Sequence, residues 1–462
     1  MTEPAEPFAL AGRPVVVAGA AVSGAAAARV LQRHGAEVTV VEADDARAQP
    51  LRDEGFRVVD VPVPPPGTDL VVTSPGWRPD SPLLAAAAAA GLEVVGEVEL
   101  AWRLAHAPQA PRPPAPWLAV TGTNGKTTTV LMLEAVLAAA GARTVAAGNV
   151  GLPLVEAVEG AYDVLAVELS SFQLHWSSSL RPHAGALLNV ADDHTDWHGS
   201  ATDYALAKAK IFTAGTAVAN ADDEIARTLL RRALGRRVTF TLRAPRPGEL
   251  GVAGGRLVDR AFAADAEEEL VRVDELAVRG QHNVGNALAA AALARSWGVP
   301  AEAVREALRG FRAGAHRDER VALMDDVTYV DDSKATNPHA AAASLSAYAP
   351  VVWIAGGLLK GADVERLVAG VVPRLRAAVL LGTDRAAFAE ALARHAPHLP
   401  VVEVERLDTG AMSEAVTAAR ALARPGDTVL LAPAAASMDC FRDYAERGRL
   451  FADAVSGAGA AG

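Results

Sequence analysis

Short valine-rich apolar runs punctuate the first part of the chain at Val15–Ala18, Val38–Val41 and Leu70–Thr73, with a helical stretch at Ala25–His34 between the first two. Apolar runs of this length alternating with helices predict buried strands, so the segment reads as a small βαβ domain. It ends at Ala107–Pro116, where five prolines remove backbone donors and stiffen the chain into a connector. A second segment opens with a strand at Trp117–Val120, a glycine-containing turn and a helix from Lys126, then strands at Val164–Leu169 and Ala186–Val190. Between Arg237 and Leu276 the pattern breaks into short pieces, Val238–Leu242 and Leu270–Val273, which predict a small antiparallel insert before an alanine-rich helix from Asn286 to Trp297. From Thr328 onward, strands at Val351–Ala355, Ala378–Leu381, Val401–Val404 and Thr428–Leu431 alternate with helices, the pattern of a third α/β unit with a parallel sheet. The domains expected are 1–110, 111–312 and 313–462, with a hinge near residue 313.

A chain of 462 residues is too long for one ordinary core, which agrees with several domains. The formal net charge of −11 argues against a protein that works by neutralising a phosphate backbone, so nucleic acid is not an expected partner. Cys440 is the only cysteine, which excludes an intramolecular disulfide and a cysteine zinc cage and fits a reducing, cytoplasmic setting. The N-terminus lacks the basic-then-apolar layout of a signal peptide, and the alanine run Leu83–Ala90 is far shorter than a membrane span of about 18 residues. A monomer is the expected state.

The segment Thr121-Gly122-Thr123-Asn124-Gly125-Lys126-Thr127-Thr128 lies between an apolar strand and a helix. Successive backbone N–H groups and the helix dipole there converge on phosphate oxygens, with Lys126 reaching the β- and γ-phosphates and the Thr127 hydroxyl available to Mg²⁺. The usual first glycine of such loops is Val120 here, and Gly122 supplies the turn. The bland alternative is a solvated turn capping a helix; strand, turn, Gly-Lys-Thr and helix in that order favour the phosphate site.

The first turn, Gly19-Ala20-Ala21-Val22-Ser23-Gly24, resembles a dinucleotide fingerprint with Ala21 in place of the middle glycine, which keeps a pyrophosphate farther away. Glu42 could take a ribose hydroxyl, and Ser74-Pro75-Gly76 turns at the carboxyl edge where open sheets bind ligands. Packing glycines explain the pattern equally well.

In the middle segment Glu168 ends a strand beside the phosphate loop, a hard oxygen ligand suited to Mg²⁺. Asp192, Asp193, His194, Asp196 and His198 follow the next strand, either as a metal rim or as an exposed capping loop. Lys208 and Lys210, two apart on a helix, face different sides, and solvation is the default for each.

At this point the residues resemble the Mur ligases: TGTNGKTTT at Thr121–Thr129, GNVG at Gly148–Gly151, ELSSFQL at Glu168–Leu174, NVADDH at Asn189–His194, AKAKIF at Ala207–Phe212, NADD at Asn220–Asp223 and AHR at Ala315–Arg317. Within the family, DDSKATNP at Asp331–Pro338, GGLLKG at Gly356–Gly361 and the tail from Ala432 to Gly448 look like the branch that adds D-glutamate to UDP-N-acetylmuramoyl-L-alanine in peptidoglycan precursor synthesis. The resemblance implies a three-domain α/β fold: an N-terminal Rossmann-like domain for the UDP sugar, a central P-loop ATPase-type domain, and a C-terminal Rossmann-like domain for the amino acid.

It also implies roles. ATP phosphates would be held by Gly122, Thr123, Asn124, Gly125, Lys126, Thr127 and Thr128, and the rest of the nucleotide by His282, Asn283, Arg317 on phosphate and Asp332 on ribose. Thr127, Glu168 and His194 would serve two Mg²⁺ ions, the second reached through Lys208, which matches the lysine the family carries as a carbamate. Asn149 would orient the acyl intermediate and His316 would stand beside the reacting groups. Lys334, Thr336, Lys360, Ser437 and Met438 match the D-glutamate pocket, with Tyr444 where phenylalanine is usual. Val22, Ser23, Glu42, Ser74, Pro75, Gly76 and Ser170 would face the UDP sugar, although Ala43 and Asp44 replace the polar and basic residues often found after the acid.

A relative such as folylpolyglutamate synthase would share the phosphate loop but not the Gly19–Gly24 domain or the SKATN segment. A dehydrogenase would need NAD at the first turn, which Ala21 disfavours, and a P-loop switch would release phosphate without forming an amide.

Overall fold

The computed structural model describes residues 8–191, 193–263, 265–312 and 314–459, so Asp192 and the expected hinge at 313 lie outside the described residues. Three sheets organise the chain. The first has five parallel strands in the order Arg57–Val59, Glu37–Val41, Pro14–Ala18, Leu70–Thr73, Glu93–Gly96. Its strands are valine-rich because both faces are covered: Val15 and Val17 enter one apolar cluster, Val16 and Ala18 another. Strand order reverses at Pro14–Ala18, which brings the Gly19 turn beside the Ser74 turn.

The second sheet has nine strands, in the order Glu268–Arg272, Arg256–Asp259, Glu249–Ala253, Arg236–Phe240, Thr216–Asn220, Ala184–Leu187, Trp117–Thr121, Leu165–Glu168, Ala146–Gly148. The expected insert is therefore not a separate piece. Arg236–Phe240 pairs in parallel with Thr216–Asn220, burying Val238 and Phe240, and only the last two pairings, Glu249–Ala253 with Arg256–Asp259 and Arg256–Asp259 with Glu268–Arg272, are antiparallel. The strand expected at Ala186–Val190 ends at Leu187, because Asn189 bends away to bond the phosphate loop.

These two sheets share one apolar core, which holds Val15, Leu31, Leu100, Trp117, Leu154 and Tyr204. Two buried acids of the Glu97–Ala105 helix reinforce the joint. Glu97 accepts from Val155 N–H at 2.8 Å, and Glu99 accepts from the N–H groups of Ser178 and Ser179, at 2.9 and 3.0 Å, and from Arg103 Nε.

The third sheet runs Glu319–Met324, Val327–Asp331, Thr428–Leu431, Val351–Gly356, Leu375–Leu381, Val401–Glu403, with only the first pair antiparallel. The Glu319–Met324 strand adds a hairpin to the expected parallel set, closed by Asp325 and Asp326 at φ +51° and +60°, residues that tolerate left-handed backbone. By contacts the chain forms two units, one on the first two sheets (residues to 275 and 285–310) and one on the third (276–284 and 311 onward). Among the described residues no helix is long and apolar enough to cross a membrane.

Candidate active site

Gly125, at φ +84°, caps the Lys126–Ala139 helix, and a Cβ there would meet Asn286 Oδ1 at 2.4 Å, so glycine is required. The helix has no acid in its first turn, which leaves its positive end to an anion. Lys126 Nζ donates to the Gly122 and Thr123 carbonyls, each at 3.0 Å, and Lys208 Nζ donates to the same Gly122 carbonyl at 2.7 Å. Asn189 clamps the loop: its Oδ1 accepts from Asn124 N–H at 2.8 Å, its Nδ2 donates to Asn124 O at 3.1 Å, and its carbonyl accepts from Thr123 N–H at 3.0 Å. Thr123 Oγ1 lies 3.0 Å from the Tyr204 hydroxyl and accepts from Ala191 N–H. Asn189 and Asn286 were not among the expected site residues, and Asn189 stands in the NVADDH motif that could have flagged it.

The solvated default fails for Lys208 and holds for Lys210, which is exposed. Lys208 is 1% exposed, with its ammonium 4.6 Å from the Tyr204 ring centroid, because its helix packs against the phosphate loop. Burial, and then Lys126, lower its pKa well below the usual amine value, while Asp193 and Glu168 oppose this. Lys210 donates to the carbonyls of His175 and Ser177 at 2.7 and 2.9 Å. Glu168 is also 1% exposed; its Oε1 accepts from Asn149 Nδ2 at 2.8 Å, and its Oε2 is buried with no hydrogen-bond partner.

His194 holds left-handed backbone at φ +52°, 3.6 Å from Asp193 and with its ring 4.8 Å from that of Phe172. Burial lowers its pKa, Asp193 opposes, and Lys208 and Lys126 add to the lowering; the net direction favours a neutral imidazole able to bind a metal. His198 stacks on Phe172, lies 3.0 Å from Ser171 Oγ, and is pushed down to about 4 by burial. Thr127 and Thr128 stand in the first turn of the Lys126 helix. Among the described residues the three-member cluster of His, Asp and Glu ligand atoms is His316, Glu319 and Asp331, not one around Glu168 and His194. The remaining ligands expected there are a threonine and a modified lysine, which such a cluster does not count.

At the first turn, Gly19 has φ +97°, and a Cβ on Gly24 would fall 1.9 Å from Gly19 O, so the pattern has a packing cause. Glu42 lies just past its strand and accepts from Ala20 N–H at 2.9 Å and Asp44 N–H at 3.0 Å. The buried Ser74 Oγ has no partner. Pro75 and Ser23 are half-buried, Gly76 is exposed, and Val22 is 75% exposed. Arg78, which the sequence gave no reason to notice, donates to Asp196 O at 2.8 Å and ties this edge to the His194 segment. Ser170 caps the Ser171–His175 helix, accepting from Gln173 N–H.

In the third-sheet unit, Asn283 donates to Arg279 O at 2.7 Å, and burial takes His282 down to about 4. Arg317 sits between His316 and Asp318, both in left-handed backbone at φ +63° and +51°. His316 Nδ1 is 2.6 Å from Asp331 Oδ2, and the Tyr348 hydroxyl donates to Asp318 Oδ1 at 2.5 Å, so strained backbone is anchored on both sides of Arg317. Burial pushes Asp332 up to about 7. Lys334 N–H donates to His316 O at 3.2 Å, and its Nζ lies 3.8 Å from the Tyr444 ring centroid. The loops carrying Thr336, Lys360 and Ser437 are laced together: Ala434 N–H donates to Ala335 O, and Leu358 and Ala436 exchange two hydrogen bonds of 2.9 Å. Ser437 is buried, Lys360 is exposed at φ +52°, and Met438 is 62% exposed.

Three largely parallel α/β sheets, with a Gly-Lys-Thr turn opening a helix in the second, define the class of phosphate-loop α/β enzymes. The family description "Mur ligase middle domain" matches residues 120–294, and "Mur ligase, glutamate ligase domain" matches 316–435. The chain is 57% identical over 465 residues to a UDP-N-acetylmuramoylalanine--D-glutamate ligase of Thermobifida fusca, covering 96% of this chain and 98% of the relative. It is 55% identical to the enzyme of the same name from Streptomyces coelicolor, covering 98% and 100%. Among solved structures it resembles a UDP-N-acetylmuramate-alanine ligase of Thermotoga maritima, with TM-score 0.59, 21% identity and coverage of 96% and 99%. The chain belongs to the Mur ligase family.

Proposed function

We propose that the chain uses ATP to join D-glutamate to UDP-N-acetylmuramoyl-L-alanine, as the names of relatives at 52–57% identity suggest. The structural observation that carries the reading is the buried pair Glu168 and Lys208 at the phosphate loop, one with an unpartnered oxygen and one with a depressed amine. A carboxylate is a poor acyl donor. In the proposed reaction its oxygen takes the γ-phosphoryl of ATP and ADP leaves; the D-glutamate amine then attacks the acyl carbon, giving a tetrahedral intermediate that expels phosphate. Residues 1–110 are assigned to the UDP sugar, 111–312 to ATP and 313–462 to the amino acid, and the setting is the cytoplasm.

The donor set fits Mg²⁺: Thr127, the free oxygen of Glu168, a neutral His194 and a carbamate on Lys208 would hold two ions. Bound there, Mg²⁺ would shield the two anionic reactants from each other. A depressed amine is the form that adds CO₂, and the product carbamate is an anion. In the third-sheet unit, Lys334 and Lys360 supply cationic charge for a dicarboxylate, and Arg317 serves phosphate.

Incubation with ATP, D-glutamate and UDP-N-acetylmuramoyl-L-alanine, followed by mass spectrometry, should show a glutamyl adduct with stoichiometric ADP. ADP without the adduct, or glutamylation of a folate instead, would overturn the assignment.

A further inference from the structure

Arg447 is wholly buried although it carries a guanidinium, and among the described residues it has no carboxylate within salt-bridge distance. Its donors go to two backbone segments instead. Nη2 donates to Ser333 O at 2.8 Å, Nε to Ser333 Oγ at 3.0 Å, and Nη1 to Ala435 O at 3.1 Å. The Ser333 hydroxyl in turn donates to Tyr444 O at 2.8 Å. Ser333 immediately precedes Lys334, and Ala435 stands two residues before Ser437 and beside Ala436, whose pairing with Leu358 holds the loop that carries Lys360. One guanidinium therefore ties together the backbones that present Lys334, Ser437 and Tyr444.

The same node reaches the histidine. Ser333 N–H donates to Asp331 Oδ1 at 2.8 Å, while Asp331 Oδ2 lies 2.6 Å from His316 Nδ1. Burial pulls Arg447 down to about 10, still charged at neutral pH, and Asp439 and Asp331 oppose the shift. Removing a cation from water is costly, and a merely structural contact at this spot could be made by an apolar side chain. A planar fork of fixed donors is what sets the relative position of two loops.

We propose that Arg447 is the positioning residue of the amino-acid pocket, fixing Lys334 and Ser437 for the two carboxylates of the incoming amino acid. The proposal rests on the reading of that pocket given above. It does not make Arg447 a substrate ligand.

The test is steady-state kinetics of the full-length Arg447→Lys and Ser333→Ala variants with each substrate varied in turn, alongside thermal melts. Arg447→Lys keeps the charge but loses the fork, and should raise KM for D-glutamate by about 10- to 100-fold while KM for ATP and for the UDP-sugar acceptor stay within about twofold. Ser333→Ala, which removes only the hydroxyl link between Arg447 and Tyr444 O, should give the same selective rise at smaller size and remains testable if Arg447→Lys does not fold. Unchanged D-glutamate KM in a folded variant, or an equal rise in all three KM values, would overturn the role. Wild-type enzyme that turns over another amino acid in place of D-glutamate refutes the pocket's assigned substrate, and Arg447 is then judged by the same selective rise with the amino acid that is used.

Discussion

The Gly19 turn and the Gly122 loop are both strand, turn and helix, yet they treat charge in opposite ways. At the first, the protein supplies its own anion: Glu42 binds the Ala20 N–H, and Gly24 packs against Gly19 O. At the second, no acid enters the first turn of the helix, and two lysines converge on one carbonyl. A helix N-terminus attracts negative charge in either case, and the neighbouring side chain decides whether that demand is met internally or left for a ligand. The second turn thus leaves its positive end open to an anion, as the proposed ATP role requires, while the first has met that demand internally, beside the unpartnered Ser74 hydroxyl.

The largest expected break in this comparison is at Lys208. Replacing it by alanine should lower turnover by about 100- to 1000-fold, the scale for losing a charge placed at the reacting groups. Added acetate or formate should restore part of that by supplying the missing carboxylate. Glu42→Gln, at the other turn, should leave the KM for ATP unchanged. Full activity in Lys208→Ala would remove the carbamate role, and a large ATP effect from Glu42→Gln would erase the contrast between the turns.

A smaller effect is expected at Asn189, which satisfies both sides of the Asn124 peptide. Asn189→Ala removes both of those hydrogen bonds from a half-buried loop, a cost of about 1–3 kcal/mol. If the clamp shapes the phosphate site, the penalty should appear as a rise of about tenfold or more in the Kd for ATP, measured by calorimetry. An unchanged Kd with a lower melting temperature would make Asn189 a packing residue only.

The parallel sheets were legible because buried strands must be apolar on both faces, and runs such as Val351–Ala355 say so directly. The Glu319–Met324 strand was missed because it is an edge strand, half-buried or exposed throughout, whose apolar run, Val321–Met324, is short and is followed at once by two acids. The phosphate loop announced itself through glycine and lysine spacing. Lys208 did not, because its burial is decided by a loop 86 residues earlier in the chain, to which it hydrogen-bonds. Helical spacing tells which side a residue faces and not what packs there. Arg447 was hidden for the same reason, since its partners are backbone carbonyls, which have no sequence signature.

The joint between the first two sheets should give the smallest effect on catalysis, and it is read through pH. Glu97 is buried at that joint, and burial pushes its carboxyl from the ordinary 4.5 up to about 7, with the Val155 N–H opposing. A carboxyl whose folded-state pKa is raised contributes stability that is fully present below about 4.5 and lost as pH rises through about 7. Glu97→Gln keeps an acceptor for Val155 N–H and removes that titration. Relative to wild type, its melting temperature should rise by several degrees between pH 5 and pH 8, the loss of wild-type stability over that range being about 2–3 kcal/mol, with the KM for ATP unchanged. A difference between the two proteins that stays flat across that range would mean that Glu97 ionises normally, and that the joint tolerates a charge where the fold places an apolar core.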